Sequence, residues 1–111
     1  MTARHFKLSP SDIKDIIKPI GYCIASDRIT IEGMRIGFMY REEPESPEDS
    51  GWRFLSGDES EDYVEDMGNS MIFDVNTIVN YDAAIIPYLS LPTGSELERV
   101  EDSDEFRPIV S

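Results

Sequence analysis

Apolar and polar positions alternate most clearly between residues 34 and 41. Met34, Ile36, Phe38 and Tyr40 fall on one side and Arg35, Gly37, Met39 and Arg41 on the other. A period of two predicts a strand, here with an arginine-bearing face that is wet or paired with carboxylates. Tyr22-Cys-Ile-Ala25 reads as a buried strand, and Ser26-Asp-Arg28 as the turn after it. Ile29 and Ile31 then alternate with Thr30 and Glu32 up to the turn at Gly33. Gly51–Ser56 predicts a strand with Trp52 and Phe54 on one face and Arg53 and Leu55 on the other; Ser70–Val75 predicts another through Met71, Phe73 and Val75.

Helical spacing appears at two places. Ile13, Ile16, Ile17 and Ile20 form an apolar stripe, preceded by Ser9 as cap, Pro10 at the first helical position and Asp12 at the positive end of the dipole. Leu8 and Ile13 stand where a hydrophobic staple closes the entry, and Pro19 ends the segment. The second place is Asn76–Leu89, where Pro87 lacks an amide donor and divides the pattern into two short helical segments, with Asp82 as a cap. Ser60–Glu65 carries a single helical turn. Pro44 and Pro47, set among acids, make Glu42–Ser50 a loop. Leu91-Pro-Thr-Gly94 is a turn, and Ser95–Val100 an edge strand.

These elements predict an α+β fold: a single domain with a mainly antiparallel sheet of four to six strands, an N-terminal helix and one or two short helices. The expected organisation is an N-terminal helix within residues 1–19, a body over 20–100, and an acidic, partly disordered tail over 101–111. No repeat or long linker divides the chain.

Composition narrows the function. The chain has 111 residues with 10 Lys+Arg against 23 Asp+Glu, a formal net charge of −13. That length suits one domain with a core, and 40% hydrophobic content argues against a disordered acidic polymer. The charge argues against a nucleic-acid binder, which needs cations for phosphates, and favours a basic protein partner. No apolar run approaches the roughly 20 residues of a membrane span, and Met1–Leu8 lacks the apolar stretch of a signal peptide. A cytoplasmic protein without membrane attachment is expected. Cys23 is the sole cysteine and His5 the sole histidine, which excludes an intrachain disulfide and a multi-cysteine zinc site. Cys23 itself reads as a small core residue.

Charge is unevenly placed. Residues 1–41 hold seven bases and four acids, +3, whereas residues 42–111 hold three bases and nineteen acids, −16. Glu42–Asp66 alone carries eleven acids with Arg53 as its one base. Most charge runs are solvated loops. Here Trp52, Phe54, Leu55 and Tyr63 are interleaved with the acids, a composition of recognition surfaces. Asp58-Glu-Ser-Glu-Asp62 shares only acidity with a calcium loop, since Tyr63 stands where the required glycine belongs. No nucleophile elbow or phosphate-binding glycine loop is present. No catalytic residue, metal site or cofactor is predicted. Arg41 and Arg53 are expected to neutralise nearby carboxylates.

Gly37-Phe-Met-Tyr-Arg-Glu-Glu-Pro44 and Asp49-Ser-Gly-Trp-Arg-Phe-Leu-Ser-Gly-Asp-Glu59 resemble a bacterial domain, formerly of unknown function, counted among the immunity proteins of polymorphic toxin systems. Asn76–Asp82, Ile85–Leu89, Gly94-Ser95 and Glu98-Arg99 extend the resemblance within residues 20–100. It implies a small, non-catalytic α+β protein that binds and silences a cognate toxin. The acidic balance adds that the toxin is basic, and substrate mimicry of a nuclease toxin is one mechanism. The expected contact surface lies on Glu42–Asp66, centred on Trp52, Asp58, Glu59, Asp62 and Tyr63. Acids outside the shared motif, Glu61, Asp62, Glu65 and Asp66 with Glu45 and Glu48, are the candidates for specificity. Gly51, Trp52 and Phe54 stand between two roles, contact and fold. The competing classes are a carboxylate-rich metal-dependent enzyme and an adaptor for a basic peptide.

Overall fold

The computed structural model describes residues 5–109. Six strands form one sheet: β1 (Tyr22–Ser26), β2 (Phe38–Arg41), β3 (Asp49–Leu55), β4 (Ser70–Asp74), β5 (Glu96–Arg99) and β6 (Phe106–Pro108). Their order is β4-β1-β3-β2-β5-β6. The sheet is mixed: β1 and β3 run parallel and every other neighbouring pair is antiparallel. Three short helices join them, α1 (Asp27–Thr30), α2 (Glu61–Glu65) and α3 (Val75–Tyr81), with a 3-10 segment at Ala83–Tyr88. The α+β class and the strand number match the pattern in the sequence.

Register sorts the side chains onto two faces. Across the sheet, Met71, Ala25, Phe54, Met39 and Leu97 are successive partners on one face. Cys23 shares this face, and Val75, Ile78, Val79, Ile85 and Leu89 cover it from α3 and the 3-10 segment to complete the core. Trp52 and Phe54 stack with ring centroids 6.1 Å apart, and the Trp52 indole N–H donates to the Leu89 carbonyl at 3.1 Å. A buried indole needs such an acceptor. Burial also pushes the Cys23 thiol far above its ordinary pKa, so the thiolate needed for reactivity is suppressed.

Several elements depart from the sequence pattern. The isoleucine stripe forms no helix: after a 3-10 turn at Pro10–Asp12 the chain is already extended at Ile13. Side chains of α3 take the polar groups that a helix would pair internally. Asn76 Oδ1 accepts from the amides of Ile16 (2.8 Å) and Ile17 (3.1 Å), while Asn76 Nδ2 donates to the Lys14 carbonyl (2.7 Å). Asn80 Oδ1 accepts from the Lys14 amide at 2.9 Å. Four β-branched side chains also give the segment little helical preference.

The Ile29–Ile31 alternation, by contrast, belongs to a helix and its C-cap, because Ser26 Oγ accepts from the Arg28 amide at 3.1 Å and starts α1 where a turn was expected. In β2 the expected faces are exchanged: Met39 is fully buried, while Phe38 and Tyr40 point to the other side. Among the described residues, Arg41, on the Met39 side, serves carbonyls and an aromatic ring, not carboxylates. It donates to Ser50 O (2.8 Å) and Leu91 O (2.7 Å) and lies 5.6 Å from the Trp52 ring centroid. Finally, β5 is not the sheet edge. Residues read as an acidic tail supply β6, anchored by buried Phe106 against Tyr88, with centroids 5.3 Å apart.

Candidate interaction face

The second face of the sheet has no covering layer of long helices. Ile72, Ile24, Arg53, Tyr40 and Glu96 cross it as register partners, beside the row of Leu55, Phe38, Glu98 and Arg107. The short helix α2 arches over part of it and leaves a cleft of about 160 Å³. Tyr63 and Val64 descend from α2 toward Ile24, Tyr40 and Leu55 on the sheet. Val64 is 52% exposed and Ile72 63%, so this side presents large apolar side chains to solvent. Tyr40 is held neutral beyond the usual tyrosine range, first by burial and then by the Glu42 charge.

The helix over the cleft is built by local polar chemistry. Ser60 Oγ accepts from the Tyr63 amide at 3.1 Å, an N-cap, and Glu61 and Asp62 occupy the first turn where the dipole favours acids. Asp66 accepts from the Gly68 amide at 2.9 Å, and Asn69 Nδ2 donates to the Tyr63 carbonyl at 3.0 Å. The loop entering α2 is tied by Glu59, whose carboxylate accepts from the amides of Ser56 (2.8 Å) and Gly57 (2.9 Å). Burial alone would raise the Glu59 pKa; hydrogen bonds from the Ser56 amide and the Ser26 hydroxyl outweigh it and leave the group below its ordinary value.

An ion pair forms the floor. Arg53 is 3% exposed; its Nη atoms reach both oxygens of Asp49 and its Nε reaches Glu42 Oε2. Asp49 is held far below the usual carboxylate range, foremost by its hydrogen bonds from Arg53. Glu42 is half-exposed at the cleft mouth.

The residues singled out from the sequence divide three ways. Asp58, Glu61, Asp62, Glu65 and Asp66 are exposed on α2 and its flanks, and Tyr63 is half-buried, 4.9 Å beneath the Arg28 guanidinium. Glu45 and Glu48 are exposed on the separate β2–β3 loop. Trp52, which the sequence left between contact and fold, is fully buried, and its indole fills the far side of the sheet. Glu59 also has a structural duty, as the loop cap. Of the cleft residues, the sequence marks Leu55 among the acids and passes over Ile24, Tyr40 and Val64. For Ile24 and Tyr40 the signal lies in the alternation that locates the strands, but only strand pairing says which face stays open. Among the described residues no group of three or more His, Cys, Asp or Glu side chains has metal-site geometry, and no helix is long and apolar enough to cross a membrane.

What the fold presents is a small α+β domain with one sheet face packed and the other open beneath a short acidic helix. The family model for the immunity protein Imm33 domain matches residues 23–110. The chain belongs to that family. No curated protein and no solved structure matches it.

Proposed function

We propose that this protein binds and neutralises a cognate bacterial toxin in the cytoplasm, acting by occlusion without chemistry of its own. Membership of the Imm33 immunity protein family over residues 23–110 carries this reading. The charge supports a basic toxin: a chain of net −13 attracts a cationic partner over a Debye length and speeds encounter. Exposed Glu61, Asp62, Glu65 and Asp66 on α2 and its C-terminal flank support this reading, with Asp58, Glu59 and Tyr63 beside them and Glu45 and Glu48 on the separate β2–β3 loop. Steering sets the on-rate, and apolar contacts desolvated at the interface set how slowly the complex dissociates.

Co-expression with the adjacent open reading frame tests the reading. The neighbour is expected to be toxic alone and harmless beside this chain, and the purified pair to associate more slowly as salt rises. A harmless neighbour, or one that stays lethal beside this protein, overturns it. A rise in melting temperature with low concentrations of calcium or magnesium, without toxin binding, would instead point to a carboxylate-based metal function.

A further inference from the structure

We infer that the cleft between α2 and the open sheet face seats one aromatic side chain projecting from a cationic protein surface. The inference rests on the toxin-binding reading and names the anchor within it.

Size comes first. The cleft encloses about 160 Å³, and an apolar cavity of about 150 Å³ suffices for a benzene ring. Chemistry agrees. Ile24, Leu55 and Val64 supply aliphatic walls, and Tyr40 and Tyr63 supply ring edges and faces. At one end Ser26, Asn69 and Ser70 bring polar atoms, suited to the hydroxyl of a tyrosine or the N–H of an indole. Aromatic anchors seated in such pockets dominate many interfaces.

Charge fixes what surrounds the ring. The lining contains one cation, Arg53, paired with the lining carboxylate Glu42 and, behind it, with buried Asp49. The hood adds Glu61, Asp62, Glu65 and Asp66, all exposed. An anionic rim repels an acidic partner and favours lysines or arginines flanking the ring. Val64 is 52% exposed, so much of its side chain remains open to an incoming group.

The test uses isotope-labelled full-length protein and three pentapeptides, KKWKK, KKAKK and EEWEE. Titration of KKWKK is expected to move the resonances of Ile24, Tyr40, Leu55 and Val64, with the shifts weakening in high salt. KKAKK and EEWEE are expected to move them little. Val64→Lys, an exposed substitution checked by an unchanged melting temperature, is expected to weaken KKWKK about ten-fold; Val64→Ala serves if the lysine variant does not fold. Equal shifts with EEWEE, shifts confined to other residues, or no shifts at all overturn the cleft assignment. The two readings fail separately. A wild-type chain that fails to protect cells from the neighbouring gene product refutes toxin immunity, whereas a Val64→Lys chain that protects as well as wild type refutes only the anchor.

Discussion

Arg53 grips Asp49 with both ends of its guanidinium, Nη1 to Oδ1 at 3.0 Å and Nη2 to Oδ2 at 2.8 Å, although the two lie four apart in one strand. A regular strand would carry them about 13 Å apart. The irregularity is visible in the pairing: β1 advances from Tyr22 to Ile24 while β3 advances from Asp49 to Arg53. Extra residues are folded into a bulge, with Gly51 at φ +87°. Trp52 and Phe54 then enter the core while Arg53 turns to the open face. The Gly-Trp-Arg-Phe string is therefore a fold-building device.

Replacing Asp49 by Asn strands a buried guanidinium with only Glu42 as its charged partner. The expected loss is about 3 kcal/mol of unfolding free energy, measured by urea denaturation. Glu42→Gln, removing the half-exposed partner, is expected to cost less. Equal losses would contradict the view that Asp49 carries most of the pairing.

Acid should unfold the protein through these same groups. Asp49 and Glu59 both have folded-state pKa values below their ordinary ones, so the folded chain binds their protons less readily than the unfolded chain. Their stabilisation is intact above the ordinary carboxylate range, about pH 4–5, and is lost as pH falls through it and below. Urea midpoints are expected to hold steady down to about pH 5 and then fall, with a shallower fall in Asp49→Asn. A wild-type profile still flat at about pH 3 would refute the assignment.

Two glycines separate backbone strain from collision. A Cβ on Gly51 would stand 2.4 Å from the Glu42 carbonyl oxygen, whereas one on Gly94, at φ +98°, would meet nothing within 4 Å. Gly94→Ala is expected to cost about 1 kcal/mol for the left-handed backbone alone. Gly51→Ala carries the same strain and must also displace the Glu42 backbone just after β2, for a total of about 3 kcal/mol. Thermal denaturation of the pair reads the difference directly.

Asn76→Ala tests how the N-terminal segment is held. The change leaves the Ile16 and Ile17 amides without their partner, while the Lys14 carbonyl keeps its bond from Asn80 Nδ2, at an expected cost of about 2 kcal/mol. Hydrogen exchange at Ile16 and Ile17 should accelerate far more than exchange in β3. Unchanged protection there would mean that apolar contacts, not the Asn76 amide, hold the segment.

The sequence by itself determined the α+β class, the places of β1, β3 and β4, the division of Asn76–Leu89 into two helical pieces, and the acidic character of α2. Each rests on local chemistry: alternation, a capping Ser60 or Asp82, an interrupting Pro87. Tertiary structure alone decided the rest. The isoleucine stripe has helical spacing, yet distant Asn76 and Asn80 claim its backbone. Alternation in β2 showed two faces, but only pairing with β3 turned Met39 inward and left Tyr40 on the open side. Phe106 closes the sheet because Tyr88, far back in the chain, gives it a ring to pack on. The cleft belongs to this second kind. Its walls come from β1, β2, β3 and α2, and a spacing rule acting within one segment carries no information about which side chains from others will meet it.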